Sequence, residues 1–187
     1  MGHTNIEIKA RCTEPEKITE ILAEQGADFK GIDNQTDTYY KVPKGRLKLR
    51  QGNIENSLIF YERSDQPGPK RADVRLFALD NDSALFGVLS SALEVLVVVK
   101  KKREIYFIDN VKFHIDEVDC LGSFVEIEAI DAQGRIGTEK LTQQCAEYMQ
   151  LFEITKDQLV SCSYSDMLLK LKGKGTSQLE VETKTIS

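Results

Sequence analysis

The sequence predicts an α+β fold: an antiparallel β-barrel of about eight strands with flanking helices. Three observations lead there. Thr4 to Arg11 alternates Ile6, Ile8 and Ala10 with Asn5, Glu7, Lys9 and Arg11. Arg46 to Gln51 likewise alternates Arg46, Lys48 and Arg50 with Leu47 and Leu49. Both show the period-two signature of strands with two unlike faces. Between such runs lie short segments with helical spacing of apolar residues. Asp109-Asn110 separates two strand-like runs by two residues, which suits a hairpin turn with positive φ at both positions. Eight strands can close on themselves, and closure removes the edges an open sheet would expose.

The elements follow in order. After the first strand, Thr13 is the expected N-cap of a helix. Pro15 sits in its first turn, Glu16 completes a capping box, Ile18, Ile21 and Leu22 form its apolar stripe, and Gly26 ends it. Strands are expected over Thr36 to Val42, Arg46 to Gln51, Ser57 to Arg63 and Ala72 to Leu79, with a Pro- and Gly-containing loop over Ser64 to Lys70. Asn81 to Leu93 carries Leu85, Phe86, Leu89 and Leu93 at helical spacing. Val95 to Ile108, Val111 to Val118 and Ser123 to Ile130 complete the strands. Helices are expected over Thr138 to Met149 and Ser165 to Lys170. The domain is read as residues 1–171. The polar stretch 172–187 is read as a mobile tail or an extra strand in an oligomer, compatible with a homodimer.

Composition narrows the function. The chain has 187 residues, 41% hydrophobic and 29% charged, with a net charge of −5. The acidic balance argues against general binding of nucleic acid or an anionic membrane, which rests on excess Lys and Arg. The longest strongly apolar run, Val95 to Val99, is far short of a membrane span, and no secretory signal is visible at the start. The four cysteines lack CxxC spacing and read as reduced thiols, so a cytoplasmic location is expected. With only His3 and His114, a His-based metal site or triad is not expected.

The chemistry is carried by the second face of the strands. Glu7, Lys9 and Arg11 share a face, as do Arg46, Lys48 and Arg50. Arg63, the pair Asp73 and Arg75, the pair Lys101 and Arg103, the trio Lys112, His114 and Asp116, and the pair Glu126 and Glu128 add to the set. For any one strand, a solvated face explains such charges. Carboxylates at i and i+2 repel, however, and a divalent cation held by hard oxygens offsets that repulsion. The Lys and Arg excess calls for a polyanion, since the arginine fork matches phosphate oxygens in pairs. Metal, basic ring and acidic exterior together point to a small triphosphate.

These residues resemble the CYTH superfamily, the triphosphate tunnel metalloenzymes. Asn5-Ile6-Glu7-Ile8-Lys9 is similar to its ExExK signature, with Asn5 in place of the first Glu. Gly45 to Arg50, Leu58 to Arg63 and Lys101-Lys102-Arg103 resemble its basic strands. His114 to Glu128 resembles its D-x-V-x-x-L-G-x-F-x-E-x-E block. Ser163 to Leu168 resembles an S-Y-x-D-L-L segment of the cyclase-like branch. The resemblance covers about residues 4 to 170 and implies a closed eight-stranded antiparallel tunnel.

The resemblance further implies that Glu7, Glu126 and Glu128 hold Mg²⁺ or Mn²⁺, and that Lys48, Arg50, Arg63, Lys101 and Arg103 hold the phosphates. Lys9 acts there too and, with Asp116, serves the reaction itself, Asp116 by orienting or deprotonating the attacking group. Three activities are compatible with such a cradle: cyclisation of ATP to cyclic AMP and pyrophosphate in the manner of class IV adenylyl cyclases, hydrolysis of a triphosphate, and non-catalytic binding of a nucleotide or polyphosphate. Asn5 removes one negative charge from the metal site, which bears on the number of ions held.

Overall fold

The computed structural model describes residues 2–63, 66, 68–80 and 84–173, with the backbone alone at residues 2–4 and 63. Eight strands form a closed barrel in the order β1-β5-β4-β3-β2-β6-β7-β8, all neighbours antiparallel. They are β1 (Gly2–Arg11), β2 (Asp28–Tyr40), β3 (Arg46–Gln51), β4 (Ser57–Arg63), β5 (Lys70–Ala78), β6 (Val95–Ile108), β7 (Val111–Val118) and β8 (Gly122–Asp131). The helices are α1 (Pro15–Glu24), α2 (Leu85–Ala92), α3 (Thr138–Leu151) and α4, residues 164–173, with a short 3₁₀ turn at Lys156–Gln158. Among the described residues no helix is long and apolar enough to cross a membrane.

The alternation in β1 places its apolar face outward, under α1 and α3. Ile6, Ile8 and Ala10 pack there with Phe113 and Ile115 of β7, Val125 and Ile127 of β8, Leu22 of α1 and Leu141 of α3. This layer, outside the barrel wall, is the larger apolar core, so the polar faces of the same strands turn inward. A second apolar cluster fills one end of the barrel: Tyr39, Val97, Val99, Val118 and Phe124, with Tyr164 of α4 seated among them. Ser163 and Asp166 cap α4 reciprocally, the Ser163 hydroxyl accepting from the Asp166 amide at 3.1 Å and Asp166 accepting from the Ser163 amide at 3.0 Å.

Several expectations change. Thr13 does not cap α1: Glu14 occupies that position without a side-chain bond to the helix, and Pro15 begins the first turn. β2 starts eight residues before the expected Thr36, because Gly31 (φ +123) absorbs a register shift that carries pairing with β6 through a polar stretch. The β6–β7 turn uses Asp109-Asn110 as expected, but only Asp109 (φ +50) takes a positive φ. Asp73 and Arg75 do not join the inner face. Ala72, Val74, Leu76 and Ala78 face the interior, and the charged face of β5 looks outward, where Arg71 pairs with Asp73. The last helix runs to residue 173, and the expected tail beyond it lies outside the described residues, as do 81–83 at the expected start of α2.

Candidate active site

The barrel encloses a cavity of about 620 Å³ whose wall is charged. Register explains the convergence. Lys9 lies opposite Glu126, which lies opposite His114; Glu7 lies opposite Glu128, which lies opposite Lys112; Arg103 lies opposite Asp116. Directly opposed residues share a face, so these rows turn inward together.

The cationic half centres on a residue the sequence reading did not single out. Asp37 of β2 accepts from Arg50 Nε at 2.9 Å and Nη2 at 3.1 Å, from Lys48 Nζ at 2.9 Å and from Lys101 Nζ at 2.8 Å. Burial opposes its charge, yet Arg50, Lys101 and Lys48 hold its carboxyl well below the ordinary carboxylate range. A second carboxylate, Glu55, also accepts from Arg50, at 2.8 Å. Burial pushes the Lys101 ammonium down to about 7; Asp37 opposes that, and Arg50, Arg103 and Lys48 add to it.

A second group joins Arg103, Asp116, Glu126, Lys9 and Tyr164. Arg103 donates to both Asp116 oxygens, at 2.6 and 2.5 Å, and to Glu126 at 2.7 Å. Lys9 pairs with the other Glu126 oxygen at 2.8 Å and sits 3.5 Å from the centroid of the Tyr164 ring, whose hydroxyl donates to Asp116 at 2.7 Å. Burial opposes the charge on Glu126, but Lys9 and Arg103 keep it ionised. Both Asp116 oxygens are engaged, and Arg103 holds its pKa down against burial. His114 Nδ1 donates to Glu126 at 3.1 Å. Burial, with Arg103 and Lys112, pushes its pKa down to about 3, so the ring is neutral and its buried Nε2 meets no hydrogen-bond partner.

The acidic half contains Glu7, Glu128 and Asn5. Burial raises the Glu128 carboxyl; Lys112 opposes that, and the charges of Glu7 and Glu126 reinforce it. Asn5 donates its amide to Glu128, and the Asn5 Oδ1 is buried without a partner. Two carboxylates opposite each other in register and an orphaned carbonyl oxygen are hard donors, so the residues present suit a divalent ion. Among the described residues no three acidic, His or Cys side chains are gathered tightly enough to chelate an ion as they stand. The reason is visible at Glu126, whose oxygens are committed to Lys9, Arg103 and His114.

Of the residues singled out from sequence, Glu7, Lys9, Lys48, Arg50, Lys101, Arg103, Glu126 and Glu128 line one cavity, with Asp116 behind Arg103. Arg63 ends β4 opposite Ala72, and its side chain lies outside the described residues. Lys100 and Lys102 face outward, as the alternation requires. Asp37, Glu55 and Tyr164 were missed. Asp37 lies within the strand expected from Thr36, and extending β2 shows that it shares a face with Asp33, Gln35 and Tyr39; Glu55 sits in a loop, where no periodicity marks it.

Known proteins share this architecture. A Methanocaldococcus jannaschii protein named "Putative adenylate cyclase" is 22% identical over 171 residues, covering 87% of this chain and 97% of that one. A solved Pyrococcus horikoshii protein superposes with a TM-score of 0.73 at 25% identity, covering 87% of this chain and 98% of its own. A Hippeastrum protein, named a putative adenylyl cyclase and described as having a dominant triphosphatase activity, superposes with a TM-score of 0.55 at 11% identity, covering 91% and 96%. The family model of the CYTH domain matches residues 3–161, and the chain belongs to the CYTH domain family.

Proposed function

We propose that the tunnel binds ATP with Mg²⁺ or Mn²⁺ and converts it to cyclic AMP and pyrophosphate. The observation that carries this reading is the cluster of Lys48, Arg50 and Lys101 around the single carboxylate of Asp37, with Arg103 nearby. Cations gathered on one wall of an enclosed cavity, three of them around one carboxylate, form a site for a polyanion, and the arginine forks suit phosphate oxygens. The name of the Methanocaldococcus relative favours cyclisation.

In that reaction the ribose 3′-hydroxyl attacks the α-phosphorus, the bond to the bridging α–β oxygen breaks, pyrophosphate leaves with the electron pair, and the hydroxyl proton passes to solvent. Arg50, Lys48 and Lys101 hold the β- and γ-phosphates; Lys9 and Arg103 meet the charge developing near the α-phosphorus. Asp116 and Tyr164 hold Arg103 and Lys9 in place, so the protein's work is positioning and charge stabilisation. Glu7, Glu128 and Asn5 Oδ1 would hold the divalent ion, with Glu126 beside Glu128 on the same strand. The ion supplies further neutralisation of the phosphate oxygens.

Hydrolysis of the same triphosphate is the second reading. It is favoured by the activity described for the Hippeastrum fold relative. Incubation with ATP and Mg²⁺ or Mn²⁺ separates them. Cyclic AMP with pyrophosphate supports the cyclase, orthophosphate the hydrolase, and tight binding without either product a non-catalytic binder. Glu126→Gln is expected to abolish turnover; an unchanged rate would remove Glu126 from the site.

A further inference from the structure

Six cations on the cavity wall (Lys9, Lys48, Arg50, Lys101, Arg103 and Lys112) face six carboxylates: Glu7, Asp37, Glu55, Glu126 and Glu128 on the wall, and Asp116 behind Arg103. The formal charges cancel. A triphosphate entering a balanced lining must therefore bring a cation with it or displace one of these carboxylates from its partners. Asp37 and Asp116 are fixed, each on a strand, almost wholly buried and bonded through both oxygens. Glu126 is likewise on a strand, held by Lys9, Arg103 and His114.

Glu55 differs from these. It comes from the loop between β3 and β4, and its side chain remains 24% exposed. Its Oε2 accepts from Arg50 Nη1 at 2.8 Å and Gln35 Nε2 at 3.1 Å, and its Oε1 accepts from Lys112 Nζ. The loop backbone is anchored independently. The buried Asp33 carboxylate accepts from the Ile54 amide at 2.9 Å and the Glu55 amide at 3.0 Å. Gly52 packs so closely on that carboxylate that a Cβ would lie 2.4 Å from its Oδ1. Glu55 can thus release Arg50 and Lys112 by side-chain rotation alone, a fast motion that disturbs no strand.

We propose that Glu55 is a tethered internal competitor for the phosphate cradle: its carboxylate occupies Arg50 and Lys112 and gives way to a phosphate group. This rests on the reading that the cradle takes phosphate oxygens. A tethered carboxylate repels or outcompetes weakly charged anions and yields to a polyphosphate, so Glu55 sets how much anionic charge a ligand needs to occupy the site.

The test is calorimetric titration of tripolyphosphate, without metal, into the full chain and into Glu55→Gln, Glu55→Ala and Arg50→Gln. Both Glu55 variants are expected to bind about tenfold more tightly than the wild type, and Arg50→Gln about a hundredfold more weakly. Arg50→Gln binding as well as the wild type would overturn the cradle reading itself. Weakened binding by Arg50→Gln, together with unchanged or weaker binding by either Glu55 variant, would overturn the competitor role alone and make Glu55 a support for Arg50.

Discussion

Asp37 and Arg50 face each other across β2 and β3 and are joined by two hydrogen bonds, 2.9 and 3.1 Å long, with both side chains almost wholly buried. The same carboxylate also holds Lys48 and Lys101, so it fixes the spacing of three cations at once.

Asp37→Asn keeps the volume and removes the charge. Three buried cations then lose their shared counter-ion, and the expected loss of stability is about 3 kcal/mol in urea unfolding. The wild-type stabilisation follows from a carboxyl pKa lower in the folded than in the unfolded chain. It is present above the unfolded value near 4 and fades as pH falls below it. A variant within about 0.5 kcal/mol of the wild type at pH 7 would show that Asp37 does not organise the cradle.

Lys101 titrates near 7, below an unfolded lysine at about 10.4. Between those values the unfolded chain carries a proton the folded chain lacks, so this group adds stability as pH rises across that window and adds none below it. A triphosphate bound beside Lys101 would add negative charge and raise that pKa. Binding of tripolyphosphate at pH 8 is therefore expected to take up protons, seen as a binding enthalpy that varies with the ionisation heat of the buffer. Lys101→Met should abolish the variation; a wild-type enthalpy identical in all buffers would contradict it.

Asn5→Glu replaces the amide donor to Glu128 with a like charge beside Glu7. Without metal, the expected cost is about 1–3 kcal/mol. Mn²⁺ should raise the thermal midpoint of this variant more than that of the wild type, since an ion bound only by the folded state stabilises it. Equal Mn²⁺ shifts would place the ion away from residue 5.

Tyr164→Phe removes the hydroxyl that donates to Asp116 and leaves the ring beneath Lys9. Stability should fall by about 1–2 kcal/mol. If Tyr164 acts through Asp116 on Arg103, kcat should drop several-fold while KM for the triphosphate stays near the wild-type value; a change confined to KM would argue for a direct contact with substrate instead.

Much of this site was legible in the chain. Alternation alone separated Lys101 and Arg103 from Lys100 and Lys102, and the Glu126/Glu128 pair from Val125 and Ile127. It failed at β5, where Asp73 and Arg75 form an equally regular charged face that looks outward. Period two tells which residues share a face; whether that face is inside depends on what covers the other one. On β1, α1 and α3 cover the apolar face, which forces Lys9 inward. On β5 Ala72, Val74 and Leu76 line the cavity opposite the charged strands, Arg71, Asp73 and Arg75 face water, and the buried Lys70 donates to the Val160 carbonyl.

By itself the sequence determined the strand content, the rows of like-facing residues and the supply of charges for a polyanion and a metal. Only the tertiary structure decided which acid neutralises which base: Asp37 with Lys101, 64 positions apart, or Glu55 with Lys112, 57 apart. Coulomb attraction depends on separation through space and on burial, and both are set when the barrel closes, not by distance along the chain.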